Sequence, residues 1–198
     1  HDLRAPLRAI SGFSEIIARR HRSSLNEVGQ HYIDNIVLAS EHMGHLIDDL
    51  LTYARLGRTG VRHEPVSLTD LMDEIRRNLQ NHLTKMHATL NIMENLPIVI
   101  GDQTLLNQVF TNLLENAFKY HRPEVPPKVS LTYYIQDKYV VVKVSDNGIG
   151  IPLEYQDKIF NVFQRLHSEE EYPGTGIGLA TVRKSVELLG GNVWVESK

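Results

Sequence analysis

Cysteine is absent from the 198 residues of the chain. This excludes disulfides, thiol nucleophiles, zinc knuckles and cysteine-ligated iron–sulfur clusters. Long apolar runs are absent as well: the longest, such as Leu96–Ile100 and Tyr139–Val142, are far shorter than the roughly 18 residues that a membrane-spanning helix needs. No signal peptide is visible, and we expect no membrane contact by this chain and a cytoplasmic location.

An excess of charge of one sign is also missing. The 21 lysines and arginines nearly balance the 24 aspartates and glutamates, which gives a net charge of −3 with the histidines neutral. The chain therefore has no basic field to attract nucleic acid, and we expect no nucleic-acid partner. A hydrophobic fraction of 41% and a charged fraction of 23% are ordinary for a globular protein and exclude a disordered tail.

Both ends of the chain lie within structural patterns. The sequence begins at His1, without a methionine or a helix cap, and it ends at Lys198, directly after a strand-like segment at 192–196. We therefore expect a fragment of a longer protein.

Residues 1–56 carry a seven-residue hydrophobic repeat. The repeat is typical of helices packed at shallow angles. Further apolar residues widen the stripe beyond what two helices can bury, so we predict an antiparallel helical hairpin that pairs with a second copy in a dimeric four-helix bundle. The alternative is a hairpin that docks onto the rest of its own chain. The repeat is formed by Leu3, Leu7, Ile10, Ser14 and Ile17, and by Tyr32, Ile36, Ala39, Met43, Leu46, Leu50 and Tyr53.

A glycine-containing linker at 57–60 separates the hairpin from a second pattern, so we place two domains at 1–60 and 61–198. Ser67 or Thr69 caps the first helix of the second domain, and Asp102 caps the next. Helices and strands that do not alternate strictly indicate an α/β sandwich, a mixed sheet with helices on one face, so the fold class is α+β. The predicted helices are 67–85, 102–120, 152–163 and 176–189, and the predicted strands are 89–93, 98–100, 128–136, 139–145 and 192–196.

The helix at 103–120 carries a polar edge beside its apolar face. Asn112, Asn116 and Lys119 fall within a sector of roughly 60° when each residue turns the helix by about 100°. Amide oxygens are hard ligands suited to Mg²⁺, and lysine supplies a compact positive charge for phosphate. An ordinary solvated edge would have the same pattern, so both interpretations stay open.

Two glycine-containing segments follow that helix. Asp146 ends a strand and precedes Gly148 and Gly150, and a carboxylate there can accept a hydrogen bond from an exocyclic amine such as that of adenine. The segment 174–178 has glycine at every second position and opens the last helix, where exposed N–H groups can bind phosphate. Taken alone, each of these two segments is equally well explained by a tight turn.

In this order, the three segments resemble the ATP-binding fold shared by histidine kinases, gyrase-type ATPases and Hsp90-type chaperones. The start of the chain separates these families: His1-Asp2-Leu3-Arg4-Ala5-Pro6-Leu7 resembles the phosphoacceptor box of sensor histidine kinases. The hairpin resembles their dimerisation and histidine-phosphotransfer domain. The resemblance covers essentially the whole chain and is strongest for the phytochrome-like or PAS-linked subgroup. The family usually adds one more strand at the C-terminus, which we expect to be truncated here.

The resemblance implies an ATP-dependent protein-histidine kinase. It would phosphorylate His1 and pass the phosphoryl group to an aspartate on the receiver domain of a response regulator. Asp2 would orient the His1 imidazole, and Arg4 would neutralise the phosphoryl group. ATP and Mg²⁺ are the implied cofactors, residues 1–56 would form the homodimer, and a sensor domain would precede this fragment.

In the second domain, the resemblance implies a complete nucleotide site. Asn116 would be the Mg²⁺ ligand, supported by Asn112, and Lys119 would contact phosphate. Tyr120 would stack on the nucleobase, and Asp146 would accept from the adenine amine. The implied nucleotide-binding residues are Asn112, Asn116, Lys119, Tyr120, Asp146, Gly148, Gly150, Arg165, Gly174, Gly176 and Gly178.

Ala5 departs from the family pattern. Members with strong phosphatase activity toward their partner carry Thr or Asn at this place, so we expect weak or absent phosphatase activity. Two other functions are alternatives: a catalytically degenerate dimeric scaffold that transmits signals, and a conformational ATPase of the gyrase or chaperone kind. The intact motif positions argue against the scaffold, and the histidine box argues against the ATPase.

Overall fold

The computed structural model describes residues 4–58, 60–168 and 171–197. The chain divides into two compact units, His1–Arg55 and Leu56–Lys198. In the described part of the chain, no helix is both long and apolar enough to cross a membrane.

The first unit is the predicted helical hairpin. It consists of helix α1 (Arg4–Arg20), a short 3₁₀ helix (Arg22–Ser24) and helix α2 (Glu27–Arg55). The helices are antiparallel, since Arg4 pairs with Asp48 near one end and Arg22 pairs with Asp34 near the other. The hairpin of the predicted fold is thus confirmed.

The turn of the hairpin is held by side chains. The two terminal nitrogens of the Arg22 guanidinium, Nη1 and Nη2, donate to Asp34 at 2.7 and 2.8 Å. The hydrogen bond from Arg22 holds the pKa of the Asp34 carboxyl below its usual value. Asn26 Oδ1 accepts from the Gly29 N–H at 2.8 Å, which caps the start of α2.

The hairpin buries one stripe of side chains and leaves another uncovered. Leu7 and Ser14 are buried on α1, and Ile33 and Ser40 are buried on α2, with a spacing of seven residues on each helix. A large apolar set remains exposed in the single chain. It includes Ile10, Phe13, Ile16, Ile17, Tyr32, Ile36, Met43 and Leu50.

The second unit contains five strands, three α-helices and a 3₁₀ helix in the residues described. The elements are β1 (Glu64–Ser67), α3 (Leu68–Lys85), β2 (Thr89–Ile92), β3 (Ile98–Gly101), α4 (Gln103–Lys119), β4 (Lys128–Gln136), β5 (Tyr139–Asp146), a 3₁₀ helix (Leu153–Tyr155) and α5 (Gly178–Leu188). Strand β1 pairs antiparallel with β3, from Glu64 opposite Gly101 to Ser67 opposite Ile98. In a separate sheet, β4 lies between β2, which is parallel to it, and β5, which is antiparallel. This second sheet is mixed, as predicted.

The core lies between the helices and the sheet. Met72 on α3, Leu114 and Phe118 on α4, and Val129 and Leu131 on β4 are all at most 1% exposed and belong to one hydrophobic cluster. Helices α3 and α4 thus bury their apolar faces against the sheet, which confirms the predicted α/β sandwich.

Both predicted helix caps are present. Ser67 Oγ accepts from the Asp70 N–H at 3.3 Å at the start of α3. Asp102 Oδ1 accepts from the N–H groups of Thr104 and Leu105, at 2.9 and 3.2 Å, at the start of α4. These bonds satisfy N–H groups that have no partner within the helix, so each cap fixes where its helix begins.

Two predictions for this unit were wrong, and one strand was not predicted. Residues 152–163 form a 3₁₀ helix and turns instead of a helix, because their hydrogen bonds close tighter turns, such as that from the Asn161 N–H to the Lys158 carbonyl oxygen. Residues 192–196 form no strand, and the segment after them is held by Ser197, whose Oγ accepts from the Ile151 N–H at 2.9 Å. Strand β1 was not predicted, because Pro65 looked like part of a linker.

Candidate functional site

The polar edge of α4 is not an ordinary solvated edge. Asn112, Asn116 and Lys119 are all half-buried, and the opposite face of the helix is fixed in the core by Leu114 and Phe118. One of the two glycine-containing segments predicted as site elements, 174–178, lies directly against this edge. The edge therefore faces a structured neighbour.

Gly178, the first residue of α5, lies against the two asparagines. A β-carbon at Gly178 would lie 2.6 Å from Asn112 Oδ1 and 3.9 Å from Asn116 Nδ2. The Asn112 amide is fixed in place because its Nδ2 donates to the Gln108 carbonyl oxygen at 2.8 Å. Only glycine lets the start of α5 approach α4 this closely.

Gly174 lies against the third member of the edge. A β-carbon there would overlap the Lys119 ammonium, so the Lys119 nitrogen sits where the 174–178 segment turns toward α5. Gly176 has φ +72°, a left-handed conformation, and its carbonyl oxygen accepts from the Phe163 N–H at 3.0 Å. A β-carbon at Gly176 would also crowd Arg165 Cγ at 3.1 Å.

The Asp146 loop joins the same end of α4. Asp146 Oδ1 accepts from the Gly148 N–H at 2.8 Å, and the Tyr120 carbonyl oxygen accepts from the Ile149 N–H at 3.0 Å. The Asp146 side chain is exposed and accessible to a ligand. Gly150, with φ +79°, completes the turn in a left-handed conformation.

Asn147 is a structural residue of this loop that the sequence analysis missed. Its Oδ1 accepts from the Lys128 N–H at 2.8 Å, and its Nδ2 donates to the Pro126 carbonyl oxygen at 3.1 Å. These two bonds tie the loop to the start of β4. Asparagine often makes such bonds in turns, so its place between Asp146 and Gly148 was the available signal.

Three aromatic rings meet at the end of α4, and two of them were not predicted. Tyr120 lies 5.1 Å from Tyr172 and 6.2 Å from His167, measured between ring centroids. Lys119 Nζ lies 4.5 Å from the centre of the Tyr120 ring. Arg165 reaches the same region, since its Nη2 donates to the Tyr172 carbonyl oxygen at 3.1 Å.

The residues predicted for the phosphoacceptor step lie in the other unit. His1 and Asp2 fall outside the residues that the structure describes. Arg4, at the start of α1, donates from Nε and Nη2 to Asp48 Oδ1 at 2.9 and 2.5 Å. Its guanidinium is thus engaged within the hairpin.

The second unit has a donor set that fits a nucleotide with a divalent cation. The side-chain amides and the ammonium of the α4 edge line one side of the site. The backbone of the 174–178 segment, which approaches so closely only because it contains glycines, lines the other side. Among residues 4–58, 60–168 and 171–197, no group of three or more His, Asp or Glu side chains could hold a metal. Mg²⁺ that binds together with phosphates needs few protein ligands, and the amide oxygens of Asn112 and Asn116 are suited to it.

Both units match models of known protein families. Residues 1–59 match the model described as "His Kinase A (phospho-acceptor) domain". Residues 101–198 match the model described as "Histidine kinase-, DNA gyrase B-, and HSP90-like ATPase". The chain belongs to the sensor histidine kinase family. The predicted family is thereby confirmed, with an ATP-binding domain that contains every residue of the candidate nucleotide site.

Individual proteins agree with this family. The chain is 35% identical to the phytochrome-like protein Cph1 of Synechocystis sp. over the whole chain, which spans 26% of the Cph1 length. The fold resembles that of full-length ShkA in complex with AMPPNP, with a TM-score of 0.69 and 23% identity over the whole chain and 42% of the ShkA chain. It also resembles histidine kinase ThkA in complex with the response regulator protein TrrA, with a TM-score of 0.68 and 24% identity over the whole chain and 55% of the matched chain.

Proposed function

We propose that this chain is the core of an ATP-dependent kinase that phosphorylates its own His1 and passes the phosphoryl group to an aspartate of a response regulator. In this proposal, residues 1–60 are the dimerisation and phosphotransfer domain and residues 61–198 are the catalytic domain. The observation that carries the proposal is the convergence of the α4 edge, the Asp146 loop and the 174–178 segment, in a chain that also matches a phospho-acceptor domain.

The phosphate end of the substrate site is formed by α4 and the start of α5. Lys119 Nζ, beside Gly174, supplies a positive charge, and the backbone N–H groups at Gly176 and Gly178 supply donors for phosphate oxygens. Asn116 would hold Mg²⁺ through its amide oxygen, with Asn112 in support. When bound, Mg²⁺ neutralises charge on the phosphates.

The base end of the substrate site is formed by the Asp146 loop. The exposed carboxylate of Asp146 accepts a hydrogen bond from the exocyclic amine of adenine. Gly148 and Gly150 let the base approach the backbone, and Tyr120 offers a ring face for stacking. A base held between these groups directs the triphosphate toward Lys119, because Tyr120 and Lys119 are adjacent at the end of α4.

The transfer step uses the chemistry of a neutral imidazole. An unperturbed histidine has a pKa of about 6.5, so a ring nitrogen of His1 has an available lone pair at neutral pH. That nitrogen attacks the γ-phosphorus, the bond to the bridging oxygen breaks, and ADP leaves. Asp2 accepts from the other ring nitrogen, and Arg4 exchanges its bonds to Asp48 for bonds to the phosphoryl oxygens, whose charge it neutralises. A carboxylate of the response regulator then attacks the same phosphorus, and the N–P bond breaks.

The exposed apolar face of the hairpin supports a homodimer. Ile10, Phe13, Tyr32 and Ile36 are between 44% and 68% exposed in the single chain, and a second hairpin would bury them in a four-helix bundle. A response regulator is the proposed phosphoryl acceptor, and ThkA, which shares the fold, forms a complex with a response regulator protein. The scaffold and the conformational ATPase are not favoured, since the chain combines the phospho-acceptor and ATPase matches.

Radiolabelled ATP tests this proposal directly. With Mg²⁺ and γ-labelled ATP, the protein should acquire a label that acid removes and alkali does not. His1→Gln should abolish the label, whereas His21→Gln, which changes an exposed histidine after α1, should retain it. Label that persists in His1→Gln, or phosphate release without any labelled protein, would overturn the proposal.

A further inference from the structure

Tyr120, His167 and Tyr172 form a packed aromatic cluster, which we name the Tyr120 cluster. The Tyr120 and Tyr172 rings are tilted by 43° at 5.1 Å, and the His167 and Tyr172 rings meet edge to face at 5.3 Å. All three residues are half-buried. These distances and angles are in the range in which aromatic pairs attract each other beyond simple burial.

Tyr172 is fixed at three points. Its hydroxyl donates to the His121 carbonyl oxygen at 3.1 Å, directly after the end of α4. Its carbonyl oxygen accepts from Arg165 Nη2 at 3.1 Å, and its N–H donates to the Ser168 carbonyl oxygen at 3.1 Å. The Tyr172 ring therefore has a defined position relative to the last turn of α4.

The backbone of Tyr120 is fixed as well. Its N–H donates to the Asn116 carbonyl oxygen at 3.0 Å, and its carbonyl oxygen accepts from the Ile149 N–H at 3.0 Å. What remains free is rotation about the two side-chain torsions of Tyr120. Tyr172 and His167 border the ring, and Lys119 Nζ lies 4.5 Å from its centre, so these neighbours decide which way the ring faces.

We propose that Tyr172 is a positioning residue for the nucleobase, which acts by holding the Tyr120 ring in the orientation that stacks on adenine. This inference rests on the proposed function and adds a residue to its base site. Without the Tyr172 ring, the Tyr120 side chain becomes ordered only when the nucleotide binds. We expect the cost of this ordering to weaken nucleotide binding by about three- to tenfold. The phosphate end should be little affected, because the bond from Arg165 goes to the backbone carbonyl oxygen of Tyr172, which the substitution keeps.

A double-mutant cycle tests the coupling. Calorimetry on the 198-residue chain measures the dissociation constant of Mg²⁺–AMPPNP for wild type, Tyr172→Leu, Tyr120→Leu and the double variant. We expect the double variant to bind about as weakly as Tyr120→Leu alone, because Tyr172 acts through Tyr120. In autophosphorylation, Tyr172→Leu should raise KM for ATP and leave kcat nearly unchanged. Tyr134→Leu, which changes an exposed tyrosine on β4, is the matched control and should bind as wild type does.

Inorganic triphosphate separates the base end from the phosphate end. Tyr172→Phe removes only the hydroxyl that bonds His121, so it keeps the ring and the fold. It should weaken AMPPNP binding by less than Tyr172→Leu does, about two- to threefold, the low end of the range for one neutral hydrogen bond, while triphosphate binding stays the same. If Tyr172→Leu does not unfold cooperatively, the affinities of Tyr172→Phe for AMPPNP and for triphosphate test the role of Tyr172 instead.

The outcomes distinguish this inference from the proposed function. Additive effects in the cycle, or equal weakening of AMPPNP and triphosphate, overturn the role of Tyr172 and leave the kinase proposal intact. A wild-type chain that binds no AMPPNP overturns both.

Discussion

Replacement of Gly148 by alanine is the sharpest single perturbation of the base site. The new methyl carbon would lie 2.5 Å from the Tyr120 carbonyl oxygen and 2.7 Å from Asp146 Oδ1. Carbon–oxygen contacts are ordinarily about 3.3–3.6 Å, so the loop must move by nearly 1 Å. Because one obstacle is backbone, the movement strains the bonds that Gly148 and Ile149 donate to Asp146 and Tyr120, at 2.8 and 3.0 Å.

The cost of Gly148→Ala follows from these contacts. Overpacking costs about 1–3 kcal/mol, and partial loss of one charge-assisted and one neutral hydrogen bond brings the total to about 2–4 kcal/mol. We expect the melting temperature to fall by roughly 5–20 °C in thermal unfolding. Nucleotide affinity should fall at least about tenfold by calorimetry, since both proposed base contacts move.

Gly12→Ala is the matched control for Gly148→Ala. Gly12 lies inside α1 with nothing within 4 Å of its β-carbon position, so alanine there should stabilise the protein by about 0.5–1 kcal/mol. Its nucleotide affinity should equal that of wild type. A Gly148→Ala variant with wild-type stability and wild-type affinity would refute the geometry assigned to the base site.

Two further predictions concern the α4 cap and the hairpin. Asp102→Ala should lower the free energy of unfolding by about 1 kcal/mol in denaturant titrations. Burial raises the pKa of Asp102, but backbone N–H donors, including that of Arg62, outweigh it, so the pKa lies below the ordinary 3.8. Asp102 therefore contributes its full stabilisation above pH 3.8, and this stabilisation disappears as pH falls through the folded pKa. The melting temperature of Asp102→Ala should consequently change less with pH in this acidic range than that of wild type. An equal pH dependence of the two melting temperatures would contradict this. Phe13→Glu should convert a dimer to a monomer in sedimentation, whereas Ser23→Glu, in the exposed turn, should not; a Phe13→Glu dimer would contradict the proposed interface.

Local signals in the sequence predicted the long elements correctly. The hairpin follows from the seven-residue repeat, and α4 follows from an apolar face with Asp102 at its start, because burial and capping are decided within a few turns of a helix. The helix at 152–163 was wrong because its apolar residues look helical while its hydrogen bonds close turns. Strand β1 forms by pairing with β3, which lies more than 30 residues away in the chain. The residues of β1 alone therefore do not indicate a strand.

The candidate site was partly visible for the same reason. The amides and the ammonium of α4 share an edge by helical periodicity, and glycines mark where backbone approaches closely. Tyr172 was not visible, because its hydroxyl reaches a carbonyl oxygen 51 residues earlier in the chain. Such a contact depends on how the segment around Tyr172 folds onto α4. The only local indication was the presence of His167 and Tyr172, two aromatic residues, within the polar segment 164–173.

We propose that a nucleotide held by the second unit delivers its terminal phosphoryl group to His1. A fragment mass spectrum acquired at neutral pH, after incubation with Mg²⁺–ATP, tests it most directly because it locates the modified residue. We expect one phosphoryl group on the His1 imidazole, and we expect none when Asn116→Ala removes the proposed Mg²⁺ ligand. A phosphoryl group on any other residue, or one that persists in Asn116→Ala, would contradict it.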